Sequence, residues 1–438
     1  MSTNNNQRLR PRERDAIIQS LRAGVTPRTG LQHIQVGRFR ELEALLKDIE
    51  RISKGASSIR FIIGAFGSGK SFFMHLIRTI ALEKGLVTIH ADLSPERRLF
   101  ATDGRARNLY VELMRNLSTR TKPDGNALTS VVERFITEAR KESNATGKSV
   151  TELIEERLSH LTELVGGYDF AKVIGAYWEG FEQDNAQLKA DAVRWLRGEF
   201  TTKTEARKSL GVRTIIDDDK IYDHFKLLSL FVRQAGYKGL LVNLDEMVNL
   251  YKLSSQKARV MNYEQILRIL NDCLQGSAEH LGFLFGGTPE FLQDSRKGLY
   301  SYEALHSRLA ENTFARNAGL IDYSSPTLHL ANLTPEELLV LLRNIRHVYA
   351  HGDENNYILP DEALMSFLAH CSNRIGDAYF RTPRNTIKAF VDLLAILEQN
   401  ADLHWNQLIE NVQLEEERNT DLLGIALDSD DELATFKL

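Results

Sequence analysis

The sequence predicts an α/β protein with a parallel sheet core, a large helical insertion and a C-terminal helical lid domain. Three observations carry that prediction. Short β-branched runs such as Ile59 to Ile63 alternate with helix-length amphipathic stretches, the pattern of parallel strands joined by crossover helices. A glycine-rich loop follows the first of these runs directly and opens a helix. From about Asn126 to Gly236 the strand-like runs stop, and apolar residues recur at three- and four-residue steps between charges.

Taken in order, Pro11 suits the first turn of a helix whose apolar face, Ala16, Ile17, Ile18 and Leu21, ends at Gly24. Gly24 to Gly30 reads as a linker. Phe39 to Ile52 repeats apolar residues at Leu42, Leu45, Leu46, Ile49 and Ile52, a helical spacing closed by Lys54 and Gly55. Ile59 to Ile63 is the first core strand, Phe72 to Lys84 the helix after the glycine loop, and Leu86 to Ala91 the next strand. Inside the helical block, Val131, Val132, Phe135 and Ile136 form one apolar stripe and Ile154, Leu158, Leu161 and Val165 another. Lys238 to Leu244 has the near-continuous apolar character of a strand buried on both faces, as has Leu281 to Phe285, with a helix over Tyr263 to Leu274 between them. Pro335 to Ala350, Pro360 to His370 and Asn385 to Leu397 are three amphipathic helices of the lid.

Composition narrows the function classes. With 438 residues, 42% hydrophobic and 26% charged, the chain has material for two or three structural units, and neither global disorder nor a membrane protein is favoured. The polar start carries no apolar signal region, so a cytoplasmic protein without a membrane partner is expected. Cys273 and Cys371 stand apart with no CxxC spacing, so neither a disulfide framework nor a zinc finger is indicated, and buried, reduced thiols are expected. A net charge of -4 means that the whole chain is not a polyanion binder on charge alone. The ends are polarised, however, with Arg8, Arg10, Arg12 and Arg14 in front and eight acidic residues between Leu414 and Leu438. These read either as solvated ends or as a basic arm for phosphates and an acidic tail for a basic partner.

The strongest motif is the unbroken run Gly64, Ala65, Phe66, Gly67, Ser68, Gly69, Lys70 and Ser71, which fits GxxxxGK[ST] between a strand and a helix. Glycines let the backbone wrap a phosphate, Lys70 reaches the β- and γ-phosphates, and the Ser71 hydroxyl suits Mg²⁺. A second motif, LLVNLDE, ends an apolar strand with Asp245 and Glu246, where a metal-orienting carboxylate and a general base belong. Alone it is equally a charged strand end; beside the glycine loop it completes an ATP site. The stretch between Ser71 and Asp245 far exceeds a strand-helix-strand core, which makes the helical block an insertion.

Other residues leave two readings open. Thr288 in FLFGGTPE is placed either to sense the γ-phosphate or to cap the next helix, and the two are compatible. Arg384 and Arg308 are candidates for cations on the γ-phosphoryl group, in cis and in trans respectively, against ordinary solvated or paired arginines. Gly37 and Arg38 form a turn whose backbone fits against an adenine ring or simply starts a helix. His347 and His351 lack the acidic partner of a zinc motif, and Asp217, Asp218 and Asp219 read as a solvated loop or helix cap. The tryptophans Trp178, Trp195 and Trp405 are expected core anchors.

With GR..EL, GAFGSGKS, LLVNLDE, GGTPEF and TPRN in this order, the chain resembles the P-loop NTPases of the AAA+ class, in the branch of origin-recognition initiators and STAND proteins. The segments GLQHIQVGR, ADLSPERRLFATDGRARNLYVELMRNLSTRTKPDG and NLDEMVNLYKL narrow this to the ATP-binding P-loop family of bacterial BREX phage-exclusion systems, over nearly the whole chain. That resemblance implies Gly37 and Arg38 as the adenine-side box, Gly64 to Ser71 as Walker A, Asp245 and Glu246 as Walker B, Thr288 as sensor 1 and Arg384 as sensor 2. It implies ATP and Mg²⁺, a homo-oligomer, and a phage-defence ATPase that works beside a helicase and other system proteins. The competing expectations are a nucleotide-gated scaffold with little hydrolysis and an origin-recognition-like DNA-loading ATPase. Residues 1–30 then form a basic arm and helix, 31–125 and 237–325 the two parts of the core, 126–236 the insertion, 326–400 the lid and 401–438 the acidic tail. Only an acidic segment follows the last lid helix, so a winged-helix duplex reader is in doubt. DNA, if touched, would meet the basic arm or the cluster Arg97, Arg98, Arg105 and Arg107, whose alternative is ion pairing.

Overall fold

Every residue of the strand Ser58–Ile63 (β1) is buried, as a strand inside a parallel sheet must be. The other strands of its sheet are β2 (Val87–Asp92), β3 (Leu240–Asp245), β4 (Leu281–Gly287) and β5 (Thr327–His329). In a computed structural model, which describes residues 9–375, 383–400 and 402–411, they form one sheet in the order β2-β3-β4-β1-β5. The pairs β1 with β4, β3 with β4 and β2 with β3 are parallel. β5 was not expected from the sequence, because three residues carry no readable period; the Pro326 carbonyl just before it accepts from the Phe61 N–H at 2.8 Å.

The chain folds as two compact units. One gathers the described residues up to Phe39, then Gly64–Leu76, then those from His329 onward; the other holds Arg40–Ile63 and Ile77–Leu328. In the first unit, α1 (Pro11–Arg22), α16 (Pro335–Tyr349), α17 (Asp361–Ile375) and the helix Pro383–Gln399 bury Ile17, Leu342, Ile345, Phe367, Phe390 and Leu394 in one core. The sequence stripes of these helices point inward for that reason. α16 begins with Thr334 and Glu337 as a reciprocal capping box and Pro335 in its first turn.

In the second unit, α2 (Phe39–Ser53) precedes β1, and α4 (Arg105–Arg115) follows β2. From α5 (Leu128–Thr146) to α10 (Ile221–Gln234) the chain is helical without a described strand. Phe135 and Phe170 lie 5.2 and 5.3 Å from the Phe231 ring, and Phe225 and Tyr222 of α10 meet Phe283 of β4 at 6.3 and 6.1 Å. The helical block is thereby anchored on the sheet by aromatic packing. Trp195 and Trp178 are buried, whereas Trp405 is half-buried. Asp218 is a cap, as one of its readings had it: its carboxylate accepts from Gly104 N–H at 2.7 Å and Arg107 N–H at 2.8 Å. It serves the start of α4, whose own cap position is a glycine without a side chain. Cys273 and Cys371 are free and buried, and burial pushes both thiols up to about 12, so neither is a nucleophile at neutral pH. Among the described residues no helix is long and apolar enough to cross a membrane.

Candidate functional site

β1 runs directly into the glycine loop, and α3 (Lys70–Glu83) begins at the loop's lysine. Gly67 and Gly69 adopt φ of 75° and 83°, a region that side chains with a Cβ avoid. The loop closes on itself through Ser68 N–H to the Ala65 carbonyl at 3.2 Å and enters the helix through Phe73 N–H to the Gly69 carbonyl at 3.0 Å. The Ser68 hydroxyl is buried and has no hydrogen-bond partner among the described residues. An orphaned, buried hydroxyl at the start of a helix is the chemistry of an anion cradle, so the residues fit a phosphate.

Two further expected residues meet this loop within the same unit. The Arg38 guanidinium donates to the carbonyls of Ser68 and Gly69, and Arg384 lies with its Cζ 5.3 Å from the Phe66 ring. Gly37, at φ 60°, is packed so closely that an added Cβ would run into the Glu337 carboxylate of the α16 capping box.

In the other unit, β3 ends at Asp245, in register with Asp92 of β2. Glu246 follows at φ 57°, a left-handed backbone that a glutamate rarely adopts. Its N–H donates to Asp245 Oδ1 at 2.8 Å, the Asp245 carbonyl accepts from Leu93 N–H at 3.0 Å, and Met247 N–H reaches the Gly286 carbonyl at 2.9 Å. The turn is therefore held from both neighbouring strands. Glu246→Gly is expected to be about 1 kcal/mol more stable than Glu246→Ala by urea unfolding, since only glycine relaxes this backbone. Equal midpoints would mean that the turn stores no strain.

Thr288 follows β4 and caps the short helix Pro289–Gln293 by accepting from Phe291 N–H at 3.4 Å, so its capping reading is realised. Arg308 lies exposed near the end of the short helix Glu303–Leu309, bonded to Asn271 Oδ1 at 2.8 Å and the Ala304 carbonyl at 2.7 Å. Arg105 pairs with Asp103 at 3.2 Å and Glu96 at 3.5 Å, Arg97 with Glu112 at 3.7 Å, and Arg98 donates to the Pro95 carbonyl at 2.9 Å. Arg14 of the basic arm bonds the Tyr349 carbonyl at 3.2 Å; Arg8 and the acidic run from Leu414 onward lie outside the described residues. His347 Nδ1 is 2.9 Å from the Tyr357 hydroxyl.

One buried pair escaped the sequence reading. Arg60, in the middle of β1, pairs with Asp48 of α2 at 2.6 Å, both side chains 7% exposed. An arginine inside an apolar strand was the available signal, because a buried cation must have a partner.

No curated protein matches the chain. Residues 9–413 match the family described as BREX system ATP-binding protein BrxC/D, and that stretch contains the glycine loop, both β3 carboxylates and every other expected site residue. A match over most of the sequence settles membership: the chain belongs to the BrxC/D family of BREX system ATP-binding proteins.

Proposed function

We propose that the chain is a Mg²⁺-dependent ATPase of AAA+ type, which couples turnover to action on DNA or on a helicase partner in phage defence. The observation that carries this reading is the strained turn at the end of β3, where Glu246 is held at φ 57° behind Asp245. Strain of this kind persists where a side chain must be aimed. In this reading Gly64 to Ser71 hold the phosphates, Lys70 binds the β- and γ-oxygens, and Gly37 and Arg38 remain in the binding set. Ser71 and Asp245 would hold Mg²⁺, which neutralises charge on the phosphate oxygens. Glu246 takes the proton of the attacking water, and Thr288 orients that water or the γ-phosphate. Arg384 stabilises the transferring group from the same chain, and Arg308 does so from a neighbouring copy in a homo-oligomer. The intact acid pair favours hydrolysis over an ATP-gated scaffold. The lid (326–400), the insertion (126–236) and a cytoplasmic location belong to the same proposal.

Steady-state ATP hydrolysis, with and without double-stranded DNA across a salt series, tests it. Turnover is expected in the native chain, with DNA stimulation that fades as salt rises, and none in Lys70→Ala. A native chain that binds ATP yet shows no turnover with DNA or helicase present would leave the scaffold instead.

A further inference from the structure

Arg38 does more than mark a turn. It sits at φ 57° directly after Gly37 at φ 60°, so two successive left-handed residues throw its side chain out of the chain path. The half-buried guanidinium donates from Nη1 to the Gly69 carbonyl at 3.3 Å. From Nη2 it donates to the Ser68 carbonyl and, at 3.4 Å, to that of Ala331. The Phe73 ring backs it, 5.9 Å from Cζ.

The consequence follows from peptide geometry. In a trans peptide the carbonyl and the next N–H leave opposite edges of one plane. A cation that binds the Ser68 and Gly69 carbonyls therefore turns the N–H groups of Gly69 and Lys70 to the other side of the loop. Those are N–H groups that a phosphate cradle uses. The Gly69 carbonyl is also held by the Phe73 N–H at 3.0 Å, but Gly69, at φ 83°, has no Cβ to oppose a flip of the plane before it, where the guanidinium holds the Ser68 carbonyl. A guanidinium suits the task because its fork spans adjacent carbonyls, which a single ammonium does not.

We propose that Arg38 is the positioning residue of the phosphate loop: it clamps the carbonyls of Ser68 and Gly69, presets the loop's N–H groups for the phosphates of ATP, and ties the loop to Ala331. This rests on reading Gly64 to Ser71 as the ATP phosphate site, and needs no hydrolysis.

The test is calorimetric binding of the β,γ-imido analogue of ATP to the full native chain, Arg38→Ala and Arg38→Lys, with hydrogen exchange of the loop in nucleotide-free protein. Arg38→Ala is expected to bind about tenfold or more weakly, with faster loop exchange and an unchanged unfolding midpoint. Millimolar guanidinium chloride should restore part of the affinity, which a merely structural role would not allow. Arg38→Lys should recover little, and it carries the comparison if Arg38→Ala fails to fold. Native affinity together with native loop exchange in Arg38→Ala would overturn the clamp. A native chain that binds the analogue but never hydrolyses ATP, with weakened binding in Arg38→Ala, would sink the ATPase reading and support the clamp.

Discussion

Glu246→Gln should bind ATP as the native chain does and hydrolyse it at least about 10²-fold more slowly, the usual loss when a general base is removed. The substitution keeps size and shape and removes only the ability to accept a proton. The hydrogen bond that shapes the turn, from the residue's N–H to Asp245 Oδ1, uses the backbone and is retained. Glutamine meets the same cost as glutamate at φ 57°, so the fold and the loop are unaffected. Single-turnover phosphate release beside calorimetric binding separates the two effects. Native release rates in the variant would remove Glu246 from the base role.

Asp48→Ala should destabilise the chain by about 3–5 kcal/mol, the range for breaking a buried ion pair by removing one partner. Arg60 Nε donates to Asp48 Oδ2 at 2.6 Å, and its Nη1 donates to the carbonyls of Tyr323, at 3.0 Å, and Ser325. One guanidinium thus joins α2, β1 and the turn before β5. Without Asp48 its charge is left, among the described residues, to carbonyl dipoles in a buried site. Replacing both partners, as Asp48→Leu with Arg60→Met, should recover most of the loss, because a packed apolar pair has no charge to desolvate. Urea unfolding of the three variants reads this directly, and a loss under about 1 kcal/mol for Asp48→Ala would mean that water reaches Arg60.

Much of the sheet was legible because its strands are buried on both faces and read as apolar runs. The expected strand Leu281 to Phe285 lies within Leu281–Gly287, and the expected helix Phe39 to Ile52 within Phe39–Ser53. The helix expected from Tyr263 starts earlier, at Gln256, because the Ser255 hydroxyl caps it ahead of the apolar stripe. What stayed hidden is long-range. Asp218 capping α4, Asp48 meeting Arg60 and Arg38 reaching Ser68 join segments that no local period connects. The glycine loop was readable since its chemistry is local. The backbone strain at Glu246 was not, since nothing in the letters Asp-Glu encodes a positive φ.

The unit that holds the glycine loop also sets when that loop can mature. Its α1 is tied to its far end by Arg14 with the Tyr349 carbonyl, 335 positions away, and Arg22 with Asp392, 370 positions away. During synthesis the first helix must wait for almost the whole chain before these partners exist, and closing so long a span is entropically slow. The other unit, with its sheet strands up to β4 and its helical block, has most of its contacts in hand before then. A nascent chain of this kind therefore has strands β1 to β4 and the helical block in hand first, and completes the helical surroundings of its glycine loop last.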